Sequence, residues 1–270
     1  TNIFNMCCIM GMICIMNPLK LLRQTVRKDM NMSLLSSVIL LVLLMDTFGT
    51  DLTDNVISRT DGIILLLFFA VFMYYTLYEF GEYLRDRREK KYRERLEKKA
   101  RGEEVPEEKK EEHVLTMKDV KAILKNLVIG IIGAAMVYFG AEIVVNNAVV
   151  IAHHFNVSQT FISIAIIAVG TSLPEITTSI AAIKKNRINI AIGNLIGSNM
   201  FNTLFVIGMA ALVNPIKLTE TSLLIDCAVF VITCLTLVLF TKRKPEISRT
   251  EGLTLISIYI VYIAYVIFRR

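Results

Sequence analysis

Two hundred and seventy residues, 54% of them hydrophobic, carry a formal net charge of +6 at a mean hydropathy of +0.56. Soluble domains stay near roughly 45–50% apolar, and here the charges are segregated, with a large share between Arg85 and Lys125. The uncharged runs left between them reach the roughly 17–25 residues of a membrane-crossing helix, which excludes a soluble domain and a β-barrel of short alternating segments; Lys and Arg gather in loops between these runs, which argues against nucleic acid as a partner.

Residues 1–16 form a partial span that ends at Asn17-Pro18. The chain opens on Thr1-Asn2-Ile3-Phe4, without an initiator Met, and reads as an interior point of a longer protein. Residues 17–32 carry Lys20, Arg23, Arg27 and Lys28, and residues 33–50 form a short span. Residues 46–61 are acidic, with Asp46, Asp51, Asp54 and Asp61. A span at 62–80 continues from Glu82 to about Ala100 as a charge-rich helix, ended by Gly102 and Pro106. Its i,i+4 charge pairs suit a solvated linker, with a regulatory role as the lesser alternative. The span at 120–147 is rich in small residues, Gly130, Gly133, Ala134, Gly140 and Ala141, which let helices approach closely in lipid. Further spans follow at 157–183, 188–213, 221–241 and 251–268.

Loop charge sets the orientation. The 81–121 linker, the 184–187 turn and the 241–249 and 17–32 loops are basic and read as cytoplasmic. The 46–61, 148–157 and 214–222 loops then lie outside, and only Arg269-Arg270 runs against the rule. The free cysteines Cys7, Cys8, Cys14, Cys227 and Cys234 all lie in apolar spans, without disulfide or metal-site spacing. His153-His154 reads as an interfacial pair at the outer end of a span, and His113 falls in the linker.

Residues 1–20 and 198–217 match at an offset of 197, with eight identities: Asn2, Phe4, Asn5, Gly11, Met12, Asn17, Pro18 and Lys20. A second match sets RTDG at 59–62 against RTEG at 249–252, at an offset of 190. This is an internal duplication. By the loop charges the two copies run oppositely through the membrane, and inverted repeats are a transporter signature, with sites near the midplane on interrupted helices. The second copy has five spans, and the first shows only the last three. The expected architecture is therefore an all-α polytopic membrane protein of two inverted five-helix repeats, the first missing about its first two helices. Its divisions are 1–80, the remainder of the first repeat; 81–118, a charged cytoplasmic linker; and 119–270, the second repeat.

The chemistry concentrates between Ala168 and Asn202. Pro174 cannot donate a hydrogen bond and crowds the carbonyl of Gly170, so the helix should break there. Ala168, Thr171, Ser172, Glu175 and Ser179 share a face by 3- and 4-residue spacing. They offer carbonyl, hydroxyl and carboxylate oxygens, the donors that hard cations such as Ca²⁺ take. Asn194, Ser198 and Asn202 share a face of the next span. Nitrogen and sulfur ligands are absent, which disfavours Zn²⁺ or Cu⁺. A kinked helix whose hydroxyls bond back to its own carbonyls accounts for Thr177 and Thr178, but not for Glu175, which is costly in lipid unless partnered.

GTSLPE at 170–175, followed by GNLIGSNMFN at 193–202, resembles the second α-repeat of the sodium/calcium exchanger superfamily, nearest the bacterial and archaeal type. TNIFN at 1–5 resembles the tail of that family's first α-repeat. The resemblance implies ten helices in two inverted halves, and a chain running from the end of helix 3 through helix 10. It implies that Glu175 binds Ca²⁺ and Na⁺ with Thr171, Ser172, the carbonyl of Ala168, Ser198 and Asn202, and that Thr1 and Asn5 are the matching positions of the first repeat. Thr1 keeps the hydroxyl of the usual Ser; Asn202 is an amide where potassium-dependent relatives carry Asp. The implied activity is electrogenic Na⁺/Ca²⁺ antiport across the cell membrane by alternating access, with Ca²⁺ and Na⁺ as substrates, the lipid bilayer as the other partner and no cofactor. Ca²⁺/H⁺ or Na⁺/H⁺ exchange on the same scaffold is the first alternative. An intramembrane serine enzyme using Ser172 or Ser198 is remote, since GTSLPE is not G-x-S-x-G and no base lies at matching depth. A non-transporting fragment is the third reading.

Overall fold

The computed structural model describes residues 1–16, 18–20, 28–49, 56–101, 117–155, 162, 168–217, 222–244 and 246–268. The first half of the predicted 157–183 span, the end of the charged linker at Gly102 and Pro106, and Arg269-Arg270 lie outside the described residues. The chain is a multi-pass helical membrane protein. Its helices are α1 (Phe4–Met16), α2 (Asp29–Gly49), α3 (Arg59–Ala100), α4 (Met117–His154), α5 (Ala168–Thr171), α6 (Leu173–Lys184), α7 (Ile188–Val213), α8 (Ser222–Arg243) and α9 (Arg249–Phe268). Segments of α3, α4, α7, α8 and α9 are long and apolar enough to cross a bilayer. The predicted 62–80 span and the charged stretch behind it form the single helix α3. Two compact units are present, one of residues 1–69 with 137–270 and one of residues 70–136. The described residues of the second unit are helical except for Arg101, which is a turn.

Within the first unit the duplication is visible at every level. The first turns of α1 at Phe4–Ile9 and a segment inside α7 at Phe201–Val206 are both π-helical, and they coincide at the offset of 197. Single π-turns inside α-helices recur at functional sites. Ser58 caps α3 through its backbone N–H and hydroxyl, both donated to Asp61 Oδ2 at 2.8 Å. Ser248 caps α9 on Glu251 Oε2 in the same way, at 2.7 and 2.9 Å. Short strands β1 (Leu19–Lys20), β2 (Val56–Ile57), β3 (Ile216–Lys217) and β4 (Glu246–Ile247) pair crosswise. Leu19 lies opposite Ile247 and Ile57 opposite Ile216, so each ribbon takes one strand from each copy.

The repeats therefore exchange partners. α1 packs on α9 at Gly11 and Gly252, and α7 packs on α3 at Gly208 and Gly62. α2 packs on α8, with Ser33 Oγ 3.6 Å from Cys234 Sγ and Thr241 Oγ1 donating to Met30 Sδ at 3.5 Å. Met6, Met10, Leu195, Ile196, Met200 and Leu204 fill the centre. In lipid no hydrophobic drive pulls helices together, so close backbone approach and interhelical hydrogen bonds hold this core. Many large apolar side chains face outward, among them Ile143, Leu239 and Val261, which is the arrangement a bilayer requires.

Candidate cation site

The break predicted at Pro174 falls at Ser172. Its φ of −97° and ψ of 1° separate α5 from α6, and Pro174 sits in the first turn of α6. The Ser172 N–H turns back to the Val169 carbonyl at 3.0 Å. Such bridge-region backbone is sparsely populated and recurs in active sites. Glu175 lies in that same first turn, where the helix dipole favours a carboxylate. Gly170 lets the break nestle against α4, because a Cβ there would run into the Val145 side chain. Gly170→Ala is expected to destabilise by about 1–3 kcal/mol through overpacking, read as a lower melting temperature in detergent, and Val145→Ala is expected to restore most of it.

A cleft of about 560 Å³ opens at this break, lined by Thr1, Asn2, Thr171, Glu175, Asn202 and Asp226 among others. Thr1 of α1's N-terminal side and Thr171 of α5 touch hydroxyl to hydroxyl at 2.9 Å, so the two copies meet at the site. Glu175, in its lining, has Oε2 buried without a hydrogen-bond partner among the described residues, and Asn5 Oδ1, outside the lining, is in the same state. Ser179 Oγ is a third buried oxygen in that state, one turn beyond Glu175. A buried oxygen left unsatisfied costs about 1–3 kcal/mol, and a cation is a partner that the bare Glu175 Oε2 in the cleft can accept.

Of the eight predicted ligands, Thr1, Thr171, Glu175 and Asn202 line one cleft. Asn5 is fully buried and does not line the cleft: its Nδ2 donates to Asn199 Oδ1 at 3.1 Å. Ser198 turns onto its own helix, donating to the Leu195 carbonyl at 3.2 Å. Ser172 is buried at the break, and the backbone of Ala168 begins α5. Neither lines the cleft. Thr177 and Thr178 bond back to the Leu173 and Pro174 carbonyls, both at 2.8 Å, and Asn194 donates to Thr178 at 3.0 Å rather than to the cleft.

Four residues here escaped the sequence reading: Asn2, Asn199, Thr203 and Asp226. Asn2 and Asn199 were legible, since they form one of the eight identities between the repeats. Asp226 lies near the start of an apolar span, and its position beside Glu175 in the cleft has no signature in the sequence. Among the described residues no three His, Cys, Asp or Glu side chains gather. The cleft thus combines neutral oxygens with two carboxylates, Glu175 and Asp226, a donor set that suits hard cations.

Two interlocked copies of one helical unit, meeting at a broken helix, are the arrangement of inverted-repeat secondary transporters. The sequence model of the sodium/calcium exchanger protein family matches residues 1–78 and 125–268. The chain belongs to that family. It is 28% identical over 265 residues to the inner membrane protein YrbG of Escherichia coli K12, covering 98% of this chain and 74% of YrbG. It is 32% identical over 133 residues to the sodium/calcium exchanger MaX1 of Methanosarcina acetivorans, covering 49% of this chain and 38% of MaX1. The structure of the sodium-calcium exchanger NCX_Mj soaked with 10 mM Na⁺ and zero Ca²⁺ superposes with a TM-score of 0.68 at 27% identity, covering 97% of this chain and 73% of that one.

Proposed function

We propose that this chain works in Na⁺/Ca²⁺ antiport by alternating access in the cytoplasmic membrane, with the 81–118 linker on the cytoplasmic side. The observation that carries the reading is the meeting of Thr1 and Thr171 at 2.9 Å beside Glu175 and Asn202. Residues of both repeats thereby line one space, and Glu175 Oε2 there has no hydrogen-bond partner among the described residues. Ca²⁺ takes about 6–8 oxygen ligands at 2.3–2.6 Å. Its radius is close to that of Na⁺, so both ions can use one set of hydroxyl, amide and carboxylate oxygens, and they compete for it.

Exchange follows from electrostatics. An uncompensated carboxylate at mid-membrane depth is costly. A site that rocks between the two faces only when Glu175 is neutralised by bound cations carries Ca²⁺ one way and Na⁺ the other. The inverted repeats supply the two matching faces. The proposed ligands are Glu175, Thr171, Ser172, the Ala168 carbonyl, Ser198, Asn202, Thr1 and Asn5.

The test is ⁴⁵Ca²⁺ uptake into proteoliposomes of the full-length protein. An outward Na⁺ gradient is expected to drive uptake at matched pH, and collapse of that gradient is expected to stop it. Uptake that needs a pH gradient and ignores Na⁺ overturns the reading in favour of proton coupling on the same scaffold.

A further inference from the structure

An asparagine ligand has a right end and a wrong end for a cation, because Oδ1 coordinates it and Nδ2 repels it. Something must therefore decide which end Asn5 and Asn202 present. The backbone carbonyl of Asn2 can only accept, so the group of Asn199 that lies 3.2 Å from it is the Nδ2 donor. Asn199 Oδ1 then faces the other way and accepts from Asn5 Nδ2 at 3.1 Å. Asn5 thus commits its donor end to Asn199. Its Oδ1 is buried and has no hydrogen-bond partner among the described residues.

The other copy repeats the relay. Asn2 Nδ2 donates to Thr203 Oγ1 at 2.8 Å, and Asn2 Oδ1 accepts from Asn202 Nδ2 at 3.4 Å. Asn202 lines the cleft. The offset of 197 carries Asn5 onto Asn202 and Asn2 onto Asn199, so the two amide pairs are images of each other. Each pair also ties α7 to the chain around the start of α1, on the two π-helical segments or immediately before them.

We propose that Asn199 and Asn2 are positioning residues that lock the amide orientation of Asn5 and Asn202, so that carbonyl oxygens rather than NH₂ groups face the transported hard cation. This inference rests on the reading of Asn5 and Asn202 as cation ligands. Neither Asn199 nor Asn2 needs to touch the ion. The bond from Asn199 to the accept-only Asn2 carbonyl is the anchor of one relay; in the other, Asn2 Nδ2 meets the Thr203 hydroxyl, which can donate as well as accept.

A double-mutant cycle on the full-length protein tests it, with the KM for Ca²⁺ and the kcat of Na⁺-driven ⁴⁵Ca²⁺ uptake as readouts. Asn199→Leu keeps the size and removes the acceptor. It is expected to raise KM by about 10–100-fold, as loss of an outer-shell partner does at other metal sites. Asn5→Asp has two equivalent oxygens and no orientation to lock. In that background Asn199→Leu is expected to shift KM by no more than about twofold, the scatter of uncoupled sites. An equal rise in both backgrounds is what a purely structural Asn199 produces, and it overturns the inference. Should Asn199→Leu fail to fold, Asn2→Leu alone and combined with Asn202→Asp runs the same cycle on the mirror pair. Glu175→Gln in the same assay separates the two readings. Transport that survives it sinks the cation site itself, whereas transport lost with an additive cycle sinks only the positioning role.

Discussion

Glu175→Gln is expected to abolish Na⁺-driven Ca²⁺ uptake in proteoliposomes while leaving the folded protein monodisperse in detergent. Glu175 occupies the first turn of α6, so its backbone is held by that helix. Its Oε2 is buried with no hydrogen-bond partner among the described residues. Gln keeps the volume, removes the charge and can turn an NH₂ group toward the ion. Even a singly charged partner at 4 Å is held by about 4 kcal/mol at an effective dielectric near 20. A loss of that size lowers affinity roughly 10³-fold, and a divalent ion loses more. The hydroxyls of Thr1 and Thr171, 2.9 Å apart, are neutral, and Asp226, the other carboxylate lining the cleft, is the negative charge that remains. Glu175→Asp separates charge from reach, and it is expected to bind Ca²⁺ more weakly than the native protein but to go on transporting. Uptake unchanged in Glu175→Gln would mean that the cleft is not the ion path.

The architecture was legible in the sequence because it rests on periodicity and repetition. Apolar run lengths located most of the spans, and the offset of 197 revealed the duplication. The helix break was legible too, since Pro174 lacks an N–H and must disturb the turn before it. It falls at Ser172, within the stretch the proline marks. The exchange of partners between copies was not legible. A glycine in a span reads only as small, and nothing in the residue says that Gly11 meets Gly252 or Gly62 meets Gly208. The π-helical turns at Phe4–Ile9 and Phe201–Val206 were hidden for a similar reason. One extra residue in a turn is a response to tertiary packing and leaves no mark in apolar spacing. That extra residue also shifts side chains off the 3.6 period. Asn202, inside the π-helical segment, lines the cleft, while Ser198, in the α-helical part before it, bonds its own backbone. Of the face drawn through Asn194, Ser198 and Asn202, the cleft lining takes Asn202.

The helix crossings carry the second large expected effect. A methyl on Gly11 would stand 2.8 Å from the Gly252 carbonyl oxygen, and one on Gly62 would stand 2.7 Å from the Gly208 carbonyl oxygen and 2.9 Å from the Leu212 nitrogen. Those neighbours are backbone, so no rotamer change relieves the contact, and the helices themselves must part. Overpacking costs typically about 1–3 kcal/mol and sometimes more. Gly11→Ala and Gly62→Ala are each expected to lower the melting temperature in detergent by several degrees. Because the two crossings are images under the repeat, the two losses should be similar in size. Gly193→Ala is the control: a Cβ there meets nothing within 4 Å. Replacing a mid-helix glycine by alanine also relieves about 0.5–1 kcal/mol of backbone entropy cost. It should therefore melt no lower than the native protein. The crossings also join the capped starts of α3 and α9 to the helices bearing the π-turns, so parting them displaces α1 and α7 and, with them, Asn5 and Asn202. Gly11→Ala and Gly62→Ala should consequently weaken Ca²⁺ binding in protein that remains folded, measured as a higher KM at a temperature well below the transition. A melting loss without any change in KM would separate the crossings from the site and confine their role to holding the two copies together.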